Sequence, residues 1–243
     1  VVHYQPIVAP ATGALVAFEA LVRWQDAERG IVKPTEFIPL AEDAGLIEAI
    51  GGWVLNAVCA QLRAWSAAGL LGHVHVNVSP RQLRRPDFPT TVLNALDGEG
   101  LGPELLTIEI TETAAMLDAD RASPVVLALH DAGLRIAIDD FGSGHSSLAR
   151  LRDVPVDVLK IDQSFLRGVP ADRQASAMMT AIIELGAALG MTVVAEGVTS
   201  DAQRRFLVDR ACPLAQGFHF ARPLTAAEAT AALRALVAPE AAG

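Results

Sequence analysis

The chain has 243 residues and a formal net charge of -9, and 51% of its residues are hydrophobic. Such a composition can bury a sizeable core and excludes a disordered chain, while the acidic balance argues against a broad nucleic-acid-binding surface. Apolar runs stay shorter than the roughly 18 residues of a membrane-spanning helix, and no signal peptide is visible.

Eight strand-like segments follow one another along the chain, with helical patterns between most of them. Strands and helices alternate roughly every 25–35 residues, which is typical of βα units. The clearest helical patterns cover 47–68, 123–132, 174–189 and 201–210. The predicted strands are 3–8, 14–24, 73–79, 105–111, 134–140, 156–162, 191–197 and 213–220.

The connection between the first two predicted strands is unusually short, since only APATG separates them. A parallel crossover needs about a dozen residues, so these two strands are predicted to pair antiparallel. Eight strands in a chain of this length then predict an α/β fold, a modified TIM (β/α)8 barrel with an antiparallel first strand. A doubly wound open sheet is the alternative.

Polar side chains stand at or near the carboxyl ends of most predicted strands. In a barrel these ends converge on one rim, where the active sites of this fold lie. Each carboxylate alone could simply face water or cap a helix, but matching positions on so many strands favour one shared site. The residues are Glu19, Asn77, Glu109, Asp139, Asp140, Lys160, Glu196 and Gln216.

Five of these side chains are carboxylates, which together would carry a formal charge of about -5 and raise one another's pKa values. Two divalent cations would nearly balance this charge, and the adjacent Asp139 and Asp140 would let one strand end reach both ions. Oxygen ligands favour Mg2+ or Mn2+ over zinc or copper. Two such ions can bind a phosphoryl group and activate a water.

A zinc hydrolase is the competing hypothesis, because HVH at 73–75 matches an HxH pattern on a strand. Such a site needs further histidines at comparable rim positions, and His130, His145 and His219 do not stand at such positions. Structural roles are therefore expected for His73 and His75.

The two cysteines, Cys59 and Cys212, lie in apolar surroundings without CxxC spacing. This predicts buried thiols in a reducing compartment rather than a disulfide. Because the sequence starts with Val1 and enters a strand almost at once, we expect a single domain, 1–243, of a longer protein. The domain is expected to be cytoplasmic, with membrane attachment of the parent protein left open.

Several motifs stand in a fixed order over nearly the whole chain: YQPIV, FEALVRW, NVSPRQL, EITET, DDFGSGHSSL, LKIDQSF, AEGV and QGFHFARPL. With them the chain resembles EAL domains, the cyclic-di-GMP phosphodiesterases of bacterial signalling. The resemblance implies the same modified barrel and hydrolysis of cyclic-di-GMP to linear 5'-pGpG. The alternative is a catalytically inactive cyclic-di-GMP receptor.

The resemblance also implies a set of ligands for two Mg2+ or Mn2+ ions. Asp139 would be shared between the ions, and Asp140 would serve the second. Glu196 would hold a water or a metal ion. The implied metal ligands are Glu19, Asn77, Glu109, Asp139, Asp140 and Glu196.

Lys160 is similar to the family residue that touches the attacking water and assists its deprotonation. A lysine acts as a base only when its pKa falls, which two nearby cations favour. Glu112 is similar to the residue that anchors the loop 141–148, which the family links to dimerisation and metal placement. With Glu19 and Glu196, these residues form the expected catalytic set.

The implied substrate contacts are Gln5, Leu21, Arg23, Asn77 and Gln216. The Arg23 guanidinium would bind a phosphate oxygen, which suits an otherwise acidic protein. Two positions depart from the family pattern: Thr199 stands where Glu is usual, and His145 where Tyr is common. The expected partners are cyclic-di-GMP, a second copy of the chain and regulatory domains of the parent protein, without DNA or direct membrane insertion.

Overall fold

Eight strands close into a barrel in the computed structural model, which describes residues 1–117, 119–142 and 154–237. Val, Ile, Leu and Ala dominate these strands, as expected where both faces of a sheet are covered. Over the described residues the strands, of which β3 and β4 lie outside the barrel, are β1 (Val2–Val8), β2 (Leu15–Val22), β3 (Trp24–Asp26), β4 (Gly30–Val32), β5 (Val74–Asn77), β6 (Leu106–Thr111), β7 (Arg135–Phe141), β8 (Val158–Ile161), β9 (Thr192–Ala195) and β10 (Leu214–Gln216).

The barrel confirms the predicted architecture, including the reversed first strand. β1 pairs antiparallel with β2 on one side and with β10 on the other, and the remaining barrel pairs are parallel. The order around the barrel is β1, β10, β9, β8, β7, β6, β5 and β2. The short connection after β1 therefore has the consequence expected from its length.

Helices cover the outside of the barrel and follow the strands in the expected alternation. In the described part of the chain they are α1 (Pro34–Asp43), α2 (Ile47–Ala67), α3 (Pro80–Leu83), α4 (Phe88–Gly98), α5 (Glu112–Leu117), α6 (Ala119–Asp131), α7 (Arg173–Ala188), α8 (Asp201–Asp209) and α9 (Ala226–Val237). Over these same residues, no helix is both long and apolar enough to cross a membrane.

Two corrections concern the predicted strands. β3 and β4 form a separate small hairpin that the sequence interpretation missed, because three-residue strands are too short to show a period. The predicted strand 213–220 is real only over Leu214–Gln216, since Gly217 turns the chain out of the barrel with φ of 155°.

Aromatic side chains join the first barrel strands to the outer helices. The rings of Tyr4 and Phe18 each lie 5.5 Å from the ring of Trp65 on α2. The Trp65 indole donates a hydrogen bond to Thr230 Oγ1 on α9 at 2.8 Å, so its polar group is satisfied although the side chain is buried. Both predicted buried thiols, Cys59 and Cys212, are buried and free.

A small apolar layer fills the inside of the barrel below the polar rim. Each of its residues stands two positions from a rim residue on the same strand, so it points to the same interior face. Such layers of interior side chains make this fold a packed core. The layer contains Ile7, Ala17, Ala137, Val158 and Val194.

Candidate active site

Lys160 stands at the centre of the acidic rim and is fully buried. Four carboxylates from four other strands or strand ends surround its ammonium group within ion-pair distance. The distances from Lys160 Nζ are 3.1 Å to Glu19 Oε2, 2.8 Å to Glu109 Oε2, 3.1 Å to Asp139 Oδ1 and 2.8 Å to Glu196 Oε1. The structure thus brings together residues that lie up to 177 positions apart in the sequence.

Strand register explains this convergence. In the parallel pair β5–β6, Asn77 lies beside Glu109. In the parallel pair β8–β9, Lys160 lies beside Val194, and Val194 stands two residues before Glu196. Because the side chains of residues i and i+2 share a face, the rim residues all point into the same end of the barrel.

Asp139 and Asp140 reach the same site although they are neighbours on one strand. Adjacent residues of a regular strand point to opposite faces. Asp140 instead adopts a left-handed conformation with φ of 55°, and the register of β7 against β8 shifts between Ile138 and Phe141. Aspartate tolerates this conformation better than most residues do.

Two overlapping groups of carboxylates could each hold a metal ion. Glu19, Glu109 and Asp139 form the first group, and Asp139, Asp140 and Glu196 form the second. Within each group, one oxygen per residue lies within 4.8 Å of the others. Asp139 belongs to both groups, and oxygen donors of this kind suit Mg2+ or Mn2+. The individual ligand roles stay a prediction.

The electrostatics of the cluster are dominated by burial and by mutual repulsion. Burial and the charge of Glu19 raise the pKa of Glu109 well above its usual range. Burial also raises the pKa of Glu196 to about 8, against the attraction of Lys160 and with the repulsion of Asp139. More negative charge is collected here than one ammonium group offsets, so the cluster favours binding of protons or cations.

Glu19 and Lys160 behave differently from these two carboxyls. Burial opposes the charge on Glu19, but the attraction of Lys160 and hydrogen bonds from Gln216 and Asn77 outweigh it and lower the pKa. Burial likewise opposes the charge on Lys160, yet the surrounding carboxylates raise its pKa well above the usual value. A role as a base would require cations that reverse this shift, so that role stays a prediction.

Amide side chains complete the contacts of Glu19. Asn77 Nδ2 donates to Glu19 Oε1 at 2.7 Å, and Gln216 Nε2 donates to Glu19 Oε2 at 2.8 Å. Gln216 Oε1 is buried without a hydrogen-bond partner in the described part of the chain. Gln5 lies beside Glu19 across the β1–β2 pair, and its Nε2 donates to the Ala221 carbonyl at 3.4 Å.

Two clefts open next to the acidic cluster. The first has a volume of about 320 Å³, and Gln5, Glu19, Asp139, Glu196 and Gln216 line it together with Gln163, Gly197, Thr199, Gly217 and Phe218. The second has a volume of about 490 Å³ and includes Glu19, Leu21, Asn77 and Asp140 together with apolar side chains of α1 and α2. A ligand with both charged and apolar parts fits such surroundings.

The side chains of Arg23 and Thr199 make hydrogen bonds outside the acidic cluster. Arg23 follows β2, donates from Nη1 to the Val22 carbonyl at 2.9 Å and lines a separate apolar groove beside Trp24. Thr199 lines the first cleft, where its hydroxyl donates to Gln203 Oε1 at 3.1 Å.

Glu112 contacts the start of the loop that the family likeness singles out. Its carboxyl is buried, and Oε2 accepts a hydrogen bond from the Gly142 amide at 2.8 Å. Gly142 has φ of 90°, a conformation that favours glycine. Residues 143–148, with His145 and the prediction made for it, lie outside the described residues.

The two histidines of HVH have different partners. His73 Nε2 lies 2.7 Å from Thr107 Oγ1, away from the carboxylates, as expected for a structural role. His75 Nδ1 lies 2.9 Å from Glu109 Oε1, a site contact that the sequence interpretation missed. Strand parity could have indicated this contact, because His75 and Asn77 stand two positions apart and therefore share a strand face. Burial lowers the pKa of His75 well below its usual value, so the imidazole is neutral.

Known proteins are similar to this chain in sequence and in fold. A family model described as EAL domain matches residues 1–223. Two relatives from Pseudomonas aeruginosa match over 234 residues, or 96% of this chain: the cyclic di-GMP phosphodiesterase NbdA at 42% identity, and the bifunctional diguanylate cyclase/cyclic di-GMP phosphodiesterase MucR at 40%. The match covers only 30% of NbdA and 34% of MucR.

A solved structure has the same architecture. It is described as the PaMucR phosphodiesterase in complex with c-di-GMP, and its TM-score is 0.90 at 40% sequence identity. The superposition covers 94% of this chain and 93% of that chain. The chain therefore spans about a third of the length of the relatives named above, and nearly all of this solved domain.

Proposed function

Because the chain belongs to the EAL domain family, we propose that it hydrolyses one phosphodiester bond of cyclic-di-GMP and releases linear 5'-pGpG. The observation that carries this proposal is the pair of carboxylate groups that share Asp139 at the carboxyl end of the barrel. Similarity to relatives described as phosphodiesterases supports the substrate.

The proposed cofactors are two Mg2+ or Mn2+ ions. Glu19, Glu109 and Asp139 would hold the first ion with Asn77 beside them, and Asp140 and Glu196 would join Asp139 around the second. When bound, such ions supply a water of lowered pKa and offset the charge that develops on a phosphoryl group. Five ionised carboxylates and one ammonium carry a formal charge of about -4, which two divalent cations would neutralise.

The protein side chains would orient the substrate and the attacking water. Lys160 Nζ is buried among the rim carboxylates, where it would donate a hydrogen bond to that water. Gln5 and Gln216 line the first cleft and would donate or accept hydrogen bonds on one side of the substrate. Leu21 lines the second cleft and offers apolar contact on the other side.

Arg23 is proposed to bind a phosphate oxygen, which requires its side chain to leave the Val22 carbonyl and turn toward Glu19. The charge of Glu19 already acts favourably on the guanidinium. Glu112 would hold the Gly142 amide and with it the turn that carries Asp140. Through Gly142, this contact would help to place Asp140 in the second group of carboxylates.

The remaining proposals concern the whole protein. We propose that this domain acts in the bacterial cytoplasm, that it forms a homodimer and that it works under regulatory domains of a longer chain. The limited share of the relatives that the match covers supports the last point. Light scattering on the purified chain would test the dimer.

The proposed activity predicts release of pGpG when the purified chain is incubated with cyclic-di-GMP and Mn2+, followed by chromatography of the nucleotides. Chelation of the metal should abolish the product. Binding of cyclic-di-GMP without any pGpG would contradict the enzyme and identify a receptor instead.

Glu19→Gln is expected to reduce turnover by at least about 100-fold, because it removes one carboxylate charge from the first ion group. Glu99→Gln is the matched control, since Glu99 pairs with Arg63 away from the rim. Near-normal turnover by the folded Glu19→Gln variant would contradict the assignment.

A further inference from the structure

We propose that His75 is a positioning residue that fixes the Glu109 carboxylate for metal binding. The inference rests on the proposed function, because it concerns one carboxylate of the first ion group. It adds a residue that neither the strand-end pattern nor the EAL motifs include.

Both oxygens of Glu109 are held, each from a different direction. His75 Nδ1 lies 2.9 Å from Oε1, and Lys160 Nζ lies 2.8 Å from Oε2. The side chains of His75 and Glu109 are 4% and 0% exposed. Water therefore has little access to this contact, and a buried carboxylate that loses a donor has no replacement.

The place of His75 in the barrel makes this contact specific. His75 stands two residues before Asn77, in the same interior layer as Ala17 and Val158, which are apolar. It also lies beside Glu19 in the β2–β5 register. An imidazole at this position puts a hydrogen-bonding group next to the rim carboxylates, within reach of Glu109.

The effect of His75 on metal binding follows from the different roles of the two Glu109 oxygens. In the tautomer that carries its proton on Nδ1, the neutral imidazole donates to Oε1 and restrains rotation about the Cγ–Cδ bond of Glu109. The other oxygen is then presented to the rim in one orientation. Partners that hold metal-ligating carboxylates typically change metal affinity or activity about 10- to 100-fold when they are removed.

The test compares His75→Leu with His75→Asn in purified, metal-stripped protein. Leu and Asn have nearly the same shape, but the Asn amide nitrogen is bonded to Cγ, as Nδ1 is in histidine, and keeps a donor near Glu109. We expect His75→Leu to weaken Mn2+ binding by about 10- to 100-fold in calorimetry. His75→Asn should keep most of the affinity, and His73→Leu should leave Mn2+ binding unchanged.

A second measurement separates positioning from loss of structure. In Mn2+ titrations of pGpG release, His75→Leu should need a higher Mn2+ concentration and then approach the wild-type rate. Equal Mn2+ affinity of His75→Leu and the wild type would overturn the inference, as would equal weakening by Asn and Leu.

Two further outcomes are covered by the same experiment. If His75→Leu does not fold, His75→Gln takes its place in the comparison. The amide nitrogen of glutamine is bonded to Cδ and not to Cγ, so it does not coincide with the position of Nδ1 in histidine. Binding of Mn2+ by His75→Gln as tightly as by His75→Asn would overturn the inference. If the wild type itself binds no Mn2+, the proposed metal-dependent function fails together with it.

Discussion

At the scale of single residues, the adjacent aspartates show how the backbone adapts to the site. A regular β7 would place Asp140 on the outer face of the barrel, away from Asp139. The left-handed conformation of Asp140 and the register shift beside it bring both carboxylates into the same candidate metal-binding group. The sequence indicated two charges at a strand end, but the positive φ that unites them depends on tertiary packing.

Glu196 should make the metal-free protein less stable as pH rises. Its folded pKa is raised to about 8 from an ordinary value of 4.5, so the folded state holds a proton that the unfolded state releases. This contribution to stability is fully present below pH 4.5 and is lost as pH rises toward 8. In urea unfolding with a chelator, the free energy of unfolding should therefore fall more between pH 5 and pH 8 in the wild type than in Glu196→Gln.

Mn2+ provides the control for this pH dependence, because a bound cation favours the ionised carboxylate. With saturating Mn2+ the difference between the two proteins should shrink. Identical pH slopes of the wild type and Glu196→Gln in chelator would show that Glu196 is ionised in the metal-free fold.

At the scale of elements, the sequence predicted the strands and long helices well and their ends less well. α2 was expected over 47–68 and covers Ile47–Ala67, because its apolar period is long and regular. The β3–β4 hairpin depends instead on a local turn in which the Asp26 carboxylate accepts hydrogen bonds from the Glu28 and Arg29 amides. Such turns have weak sequence signals when the strands are short.

Two adjacent glycines of α2 should respond oppositely to alanine. A methyl group on Gly52 meets no atom within 4 Å, so Gly52→Ala should stabilise the protein by about 0.5–1 kcal/mol. A methyl group on Gly51 would overlap the buried Gln82 amide, which forms a capping box with Ser79 at the start of α3. Gly51→Ala should therefore destabilise the protein by about 0.5–2 kcal/mol, the usual range for loss of a helix cap.

Urea unfolding of both variants tests this packing, and each serves as the control for the other. Stabilisation by both substitutions would show that Gln82 can move away without losing its contacts. Destabilisation by Gly52→Ala would show that this face of α2 is more crowded than the structure has it.

At the scale of the whole molecule, the barrel could be predicted because its causes are local. The six-residue connection between β1 and β2 dictated the antiparallel pair, and the alternation of strands and helices dictated the rest. The site was only partly predictable. Strand parity indicated which rim residues share a face, but the His75–Glu109 contact and the placement of Arg23 depend on how side chains pack across several strands.

Divalent cations should stabilise the folded protein as a whole. Ions that bind the folded rim and not the unfolded chain raise the free energy of unfolding. The increase is about 2.7 kcal/mol per site when the free ion concentration is 100 times the dissociation constant. For a chain of this size this raises the melting temperature on the order of 5–10 °C. Calorimetric scans with and without millimolar Mn2+ would measure it, with Glu19→Gln showing a smaller shift. An unchanged melting temperature in the wild type would contradict preformed metal sites.

The reversed direction of β1 also decides where the polypeptide enters the barrel. Val2 pairs with Val22 at the carboxyl end of β2, and the amino group of Val1 donates to the Arg23 carbonyl at 2.8 Å. A parallel first strand would begin at the far end of the barrel, opposite the carboxylate cluster. Here any polypeptide fused ahead of Val1 emerges at the end of the barrel that carries the carboxylate cluster, so a module attached there would lie next to that cluster and not at the opposite end.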